Sequence, residues 1–231
     1  MSSNPDLDRR AAVTRSLLGW GVVAGPFYVV VGLVLAVTRP GFDLTQHALS
    51  LLMLGDLGWL QRVNLILTAL MVAAAGVGTI RAIRSGRGLA IGVLTMVNAG
   101  CLVLSAVFAP DPVAGFPPGS EGGEFSLSGI LHLLFGAVGF LAIAVAAFAH
   151  AAWSRSVGER GRAVVSVVLG ILVLAGFVGG AALSTSTAGV LLLWVAVLSQ
   201  FLWLALASSQ IYRWSPHPLR SRRETAAPAA G

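Results

Sequence analysis

Long apolar runs separated by short polar stretches dominate the chain, and the length of the runs says more than their periodicity. An α-helix rises about 1.5 Å per residue, so about 20 apolar residues cross a hydrocarbon layer of roughly 30 Å. Six runs qualify: Leu17 to Val37, Leu60 to Ile80, Gly88 to Phe108, Gly129 to Trp153, Ala163 to Ser184 and Ala188 to Tyr212. The expected fold is all-α, a polytopic membrane protein built as a six-transmembrane-helix bundle over 17–212, with a polar segment at 1–16 and a disordered basic tail at 213–231. Almost nothing separates the last two runs, which predicts a tight helical hairpin around Ser184, Thr185, Ser186 and Thr187.

Composition supports this reading. Of 231 residues, 56% are hydrophobic and 10% charged, against averages of about half and a quarter for soluble domains. The net charge of +6 raises the question of nucleic acid, and the placement of the cations answers it. Arg9, Arg10 and Arg15 precede the first run, Arg81, Arg84 and Arg87 fill the second connection, and Arg155, Arg160 and Arg162 fill the fourth. Arg213, Arg220, Arg222 and Arg223 follow the last run. Positive charge marks cytoplasmic segments, so both termini are expected in the cytoplasm and no nucleic-acid partner is expected. The other connections carry Arg39 and Arg62 beside Asp43, Asp56, Asp111, Glu121 and Glu124. The first run is too long for the apolar part of a cleavable signal and reads as a retained span. Cys101 is the only cysteine, which excludes an internal disulfide and a cysteine metal cluster.

Small residues four apart, Gly21 with Gly25, Gly88 with Gly92 and Gly176 with Gly180, let helix backbones approach closely. Packing within the bundle is the plain expectation, and a homo-oligomer surface the alternative. Pro26 predicts a kink in the first span.

The candidate chemistry gathers at the expected outer face. In the 38–59 connection, Leu44, Ala48, Leu51 and Leu52 share one helical face, which predicts a short interfacial helix carrying His47 and Ser50 on neighbouring positions. The 109–128 connection has four prolines and four glycines and forms no regular element, so it is expected to act as a cap. Asp111 follows the third span, and Ser128 and His132 open the fourth. Histidine and carboxylate side chains can ligate zinc and polarise a carbonyl, so His47, Asp111 and His132 form the candidate metal set. His132 with a serine such as Ser50 is the candidate base and nucleophile, and a histidine-held haem is a further option. Each also has a plain structural role open to it, as a cap or a loop tie. Arg62, Asn64, Asn98 and Ser128 complete the set as expected ligand contacts. Arg62 is expected to snorkel or to pair with Asp111 or Asp56. Asn98 and Gln200, near the middle of their spans, are expected to bond other helices. His150 and His217 read as surface residues.

Three segments carry a family resemblance: QHALSLLMLGDLGWLQRVN, NAGCLVLSAVFAPDPVAGFP and SLSGILHLLFGAVGF. In their order and spacing, over about residues 15–212, the chain resembles the domain-of-unknown-function 998 (DUF998) family of bacterial and archaeal polytopic membrane proteins. The Asp111-Pro112 pair, and Gly129 with His132, match the family pattern, while Ala48, Leu49, Ser50, Leu54 and Gly55 match an Ile-Ser-x-Leu-Gly element in part. The resemblance implies a bacterial plasma-membrane location and supplies no reaction. In outline the family is similar to eukaryotic six-helix membrane proteins linked to lipid organisation. The expected function is binding of a lipid or amphiphile in an outward-facing polar cavity capped by the 109–128 loop. The alternatives are an intramembrane metal-assisted hydrolase or transferase using His47, Asp111 and His132, and a transporter or complex subunit.

Overall fold

The computed structural model describes residues 8–113, 115–123, 125–184 and 186–219. Glu124, Thr185, Arg220, Arg222 and Arg223, with most of the expected tail, lie outside the described residues. Six helices take up the apolar runs: α1 (Arg9–Thr38), α2 (Gly58–Ala82), α3 (Gly86–Val107), α4 (Leu127–Ser156), α5 (Arg160–Ala182) and α6 (Thr187–Trp214). All six are long and apolar enough to cross a membrane.

Several helices start before their apolar run because a polar cap lies upstream. Asp8 accepts from the backbone N–H groups of Arg10 and Ala11, so α1 begins two turns early. Ser126 and Ser186 accept from Gly129 and Gly189, which satisfies one orphan donor at the start of α4 and of α6. Pro26 lies within α1, and the helix continues through it.

Each helix packs on the next and α6 returns to α1, so the six form a closed ring. Asp8 N–H donates to Pro218 O at 3.1 Å, and Arg15 donates to Ser215 O while lying 3.9 Å over the Tyr212 ring. These contacts join the two ends of the chain. Helix direction alternates, which puts the termini and the 83–85 and 157–159 turns at one end, the terminal face. The 39–57, 108–126 and 183–186 connections lie at the other end, the loop face. All described arginines except Arg39 and Arg62 belong to the terminal face.

Small residues and polar groups fill the interior, while large aliphatic side chains such as Val30, Leu70, Val164 and Val178 face outward. That is the distribution a hydrocarbon surround favours, since helices there gain by close packing. A Cβ added to Gly76 would lie 2.8 Å from Gly92 O, and one on Gly176 2.7 Å from Leu192 O. Gly21 meets Ser208 and Gly25 meets Phe201, so these small-residue positions serve contacts within the chain.

Candidate functional site

The connection between α1 and α2 differs in detail from its expected form. Residues 44–46 form a turn and His47 a bend, and the short helix is a 3-10 helix at Leu49–Met53. Leu49, Leu51, Leu52 and Met53 are all buried, because the element sits in the end of the ring rather than flat along an interface. Arg39 closes it by donating to Leu52 O and Leu54 O. His47 and Ser50 therefore part company. His47 Nδ1 accepts Asp43 N–H at 2.9 Å, and its ring packs on Phe42 and Phe116. Through Phe116, the 109–128 loop rests on this connection.

The polar residues around α3 converge on its carboxy-terminal carbonyls. The chain leaving α3 runs Phe108, Ala109, Pro110, Asp111, Pro112, and proline has no N–H to offer a helix end. Side chains from neighbouring helices supply the missing donors. Arg62 from α2 donates to Ala106 O at 2.8 Å and Val107 O at 3.1 Å. From α4, His132 Nδ1 donates to Phe108 O at 2.9 Å and Ser105 O at 3.1 Å. Ser128 donates to Ala109 O at 2.9 Å. Arg62 thus brings a cation to the negative end of a helix dipole and forms no pair with Asp111 or Asp56. Since both of its acceptors are carbonyl oxygens, His132 Nδ1 carries the proton and Nε2 keeps its lone pair.

Asp111 serves the next helix. Its carboxylate accepts from the N–H and hydroxyl of Ser126, the α4 cap, and a Cβ on Gly129 would strike it. The expected metal trio is therefore not assembled, for physical reasons: His47 is held by Asp43 and two phenyl rings, Asp111 by Ser126, and His132 Nδ1 by two carbonyls. Among the described residues no three His, Cys, Asp or Glu side chains lie together in a group able to hold a metal ion.

A cavity of about 190 Å³ lies at the centre of the ring and is lined by residues of all six helices. Ala48, Leu49 and Ser50 close its loop-face end, with Ser105 and His132 beside them. The described residues of the connection between α3 and α4 do not line it, and Phe116 of that connection packs on Phe42 beside its loop-face end. The walls are apolar and rich in aromatic rings, among them Phe140, Phe177, Trp194 and Phe201. At the deep end Asn98 donates to Gly139 O at 3.0 Å and contacts Gln200 Oε1 at 3.5 Å, so the mid-span amides do bond other helices. Asn98 and Gln200 are 4% and 5% exposed. The cavity is thus apolar along its length and polar at both ends. Asn64 faces elsewhere, donating to Tyr28 O and Gln61 Oε1 between α1 and α2. Of the expected ligand contacts and catalytic residues, Ser50, Asn98 and His132 line the cavity, while Arg62 and Ser128 hold the α3 end that shapes it.

His150, read from sequence as a surface residue, is 3% exposed. It bonds Ser166 of α5 at 2.8 Å beneath Trp203 of α6. A stripe of Ser154 four residues on, with Ser208 and Gln210 on α6, was the available signal for a buried polar cluster. His217 is exposed, as expected.

Six long apolar helices in a closed ring, with small and polar residues inside and aliphatic ones outside, define a multi-pass helical membrane protein. A family model described as "Protein of unknown function (DUF998)" matches residues 22–210, and the chain belongs to that family. That range holds the three segments and every candidate site residue. No curated protein and no solved structure matches the chain.

Proposed function

We propose that the central cavity binds one apolar chain or ring of a membrane amphiphile, with its polar group at the Ser50, Ser105 and His132 end. The observation that carries this is the composition of the lining: mostly apolar and aromatic walls, with Ser50, Ser105 and His132 toward the loop face and Asn98 and Gln200 deeper in the bundle. Size narrows the occupant. Engineered apolar cavities of about 150 Å³ hold a benzene molecule, so 190 Å³ suits a single chain segment or small ring system rather than a whole two-tailed lipid. In this reading the arginine-rich terminal face is cytoplasmic, the loop face is external, and the membrane is a bacterial plasma membrane.

Gly136 provides the test. An added Cβ there would meet only Phe177 Cε2 at 3.8 Å, so a larger side chain enters the cavity without a backbone clash. Mass spectrometry of extracts from purified wild type should find a near-stoichiometric amphiphile, lost at least tenfold in Gly136→Leu at unchanged thermal stability. Equal recovery from both proteins refutes the reading.

One observation favours catalysis as a second reading. His132 is oriented through Nδ1 with Nε2 left as a base, and the hydroxyls of Ser50 and Ser105 line the same cavity. A fluorophosphonate probe that labels wild type and spares Ser50→Ala and Ser105→Ala would establish it. Absence of labelling excludes an activated serine.

A further inference from the structure

A second concave site lies at the terminal face, remote from the central cavity. It is a cleft of about 500 Å³ between α4, α5 and α6, with His150, Ser166, Trp203 and Gln210 in its wall and Glu159, Arg162 and Arg213 also lining it.

The wall is biased toward donors. Trp203 Nε1 donates to Ser166 Oγ at 2.7 Å, and Ser166 Oγ lies 2.8 Å from His150 Nδ1. Indole is a donor only, and Ser166 has a single hydroxyl proton. In the tautomer in which Ser166 passes that proton to His150 Nδ1, the imidazole proton sits on Nε2, and that atom has no partner. Gln210 Oε1 accepts from Ser154 Oγ at 3.3 Å, while Gln210 Nε2 also has no partner. His150 and Gln210 are 3% and 5% exposed, so in that tautomer two buried donors stand unsatisfied in the wall of one cleft. Leaving such groups unmatched is costly, and a ligand that accepts from both removes the cost.

The other charged groups point the same way. Arg162 Nε lies 3.3 Å from Glu159 Oε2 in an ion pair, and both side chains are partly exposed. Arg213 forms no ion pair among the described residues. Two guanidinium groups against one carboxylate leave net positive charge. Trp214, which packs edge-on against Trp153 at this end of the ring, is 56% exposed, and exposed tryptophan favours headgroup depth.

We infer that this cleft binds a phosphate group, with the two guanidinium groups and the unpaired His150 and Gln210 donors as its ligands. A lipid phosphate headgroup and free phosphate share that chemistry, and the experiment separates them. The site is independent of the amphiphile reading, so Gly136→Leu should leave it intact.

The test uses the full chain in neutral detergent. Thermal unfolding is followed against inorganic phosphate, with chloride at equal ionic strength as control. In parallel, native mass spectrometry follows retention of phosphatidic acid from phosphatidylcholine nanodiscs containing it. Stabilisation that saturates with phosphate assigns the free ion, and retention of phosphatidic acid without such stabilisation assigns the headgroup. Arg213→Gln and Arg162→Gln should each weaken binding about tenfold or more. Arg84→Gln, an exposed arginine on the same face outside the cleft, should have no effect. Gln210→Met removes a donor while keeping volume and serves where an arginine variant fails to fold. Absence of both signals, or equal losses in Arg84→Gln and Arg213→Gln, overturns the assignment.

Discussion

At the loop face, the side chains of Arg62, His132 and Ser128 end on backbone carbonyls of the last turn of α3 and the two residues after it. At the terminal face, His150 and Gln210 end on other side chains, and each keeps one polar atom without a partner. The difference follows from what comes after each helix. Pro110 and Pro112 follow α3 and offer no N–H, so side chains must satisfy its end. After α4, the N–H of Val157 bonds Trp153 O and that of Glu159 bonds Ser154 O, through a turn in which Gly158 takes φ +85°. Only glycine adopts that conformation without strain, and it lets the backbone finish its own helix. Side chains near α4's end are thereby released for other use. Polar residues near a helix end carry a ligand-binding argument only after the helix end itself has been served.

The largest expected effect comes from removing the cation at the α3 end. Arg62→Met strands two carbonyls and should lower stability by about 2–3 kcal/mol, read from denaturant titration in detergent. An unchanged midpoint would show that those carbonyls do not depend on Arg62, and the contrast between the two faces would fail. A smaller effect is expected at Asp111, whose carboxylate supports the α4 cap. Asp111→Ala should cost about 1 kcal/mol, and a chelator should change neither variant nor wild type. Chelator-sensitive stability that vanishes in Asp111→Ala would instead restore a metal to this face.

The smallest effect concerns pH. The hydroxyl and then the backbone N–H of Thr45, each 2.7 Å from Asp43 Oδ1, hold the Asp43 carboxyl below the usual carboxylate range. A depressed value means the contribution is present above the unfolded aspartate pKa of about 4 and is lost as pH falls through the folded value. Asp43→Asn should flatten the acid limb of the stability curve slightly, and an identical limb would show that these bonds contribute nothing.

Much of the fold was legible because a membrane span is a property of about 20 consecutive residues. The helix ends were less so, since Asp8, Ser126 and Ser186 lie outside the apolar runs they cap. At the site, the residue types were visible and their partners were not. The Arg62 to Ala106 contact joins residues 44 apart, and His132 to Phe108 joins residues 24 apart, so which carbonyl each serves depends on tertiary packing. The prolines after α3 were in plain view, and counting the donors they remove would have directed Arg62 and His132 to that helix end. His150 was misread because it lies near the end of α4, where Trp203 from α6 covers it.

A high-resolution structure in lipid nanodiscs most directly tests the proposed amphiphile in the cavity between Ser50 and Asn98. Elongated density running from Ser50 and His132 along Phe140 and Phe177 toward Gln200 is expected. A ring closed by inward rotation of those phenyl groups, with no space between the helices, would contradict it.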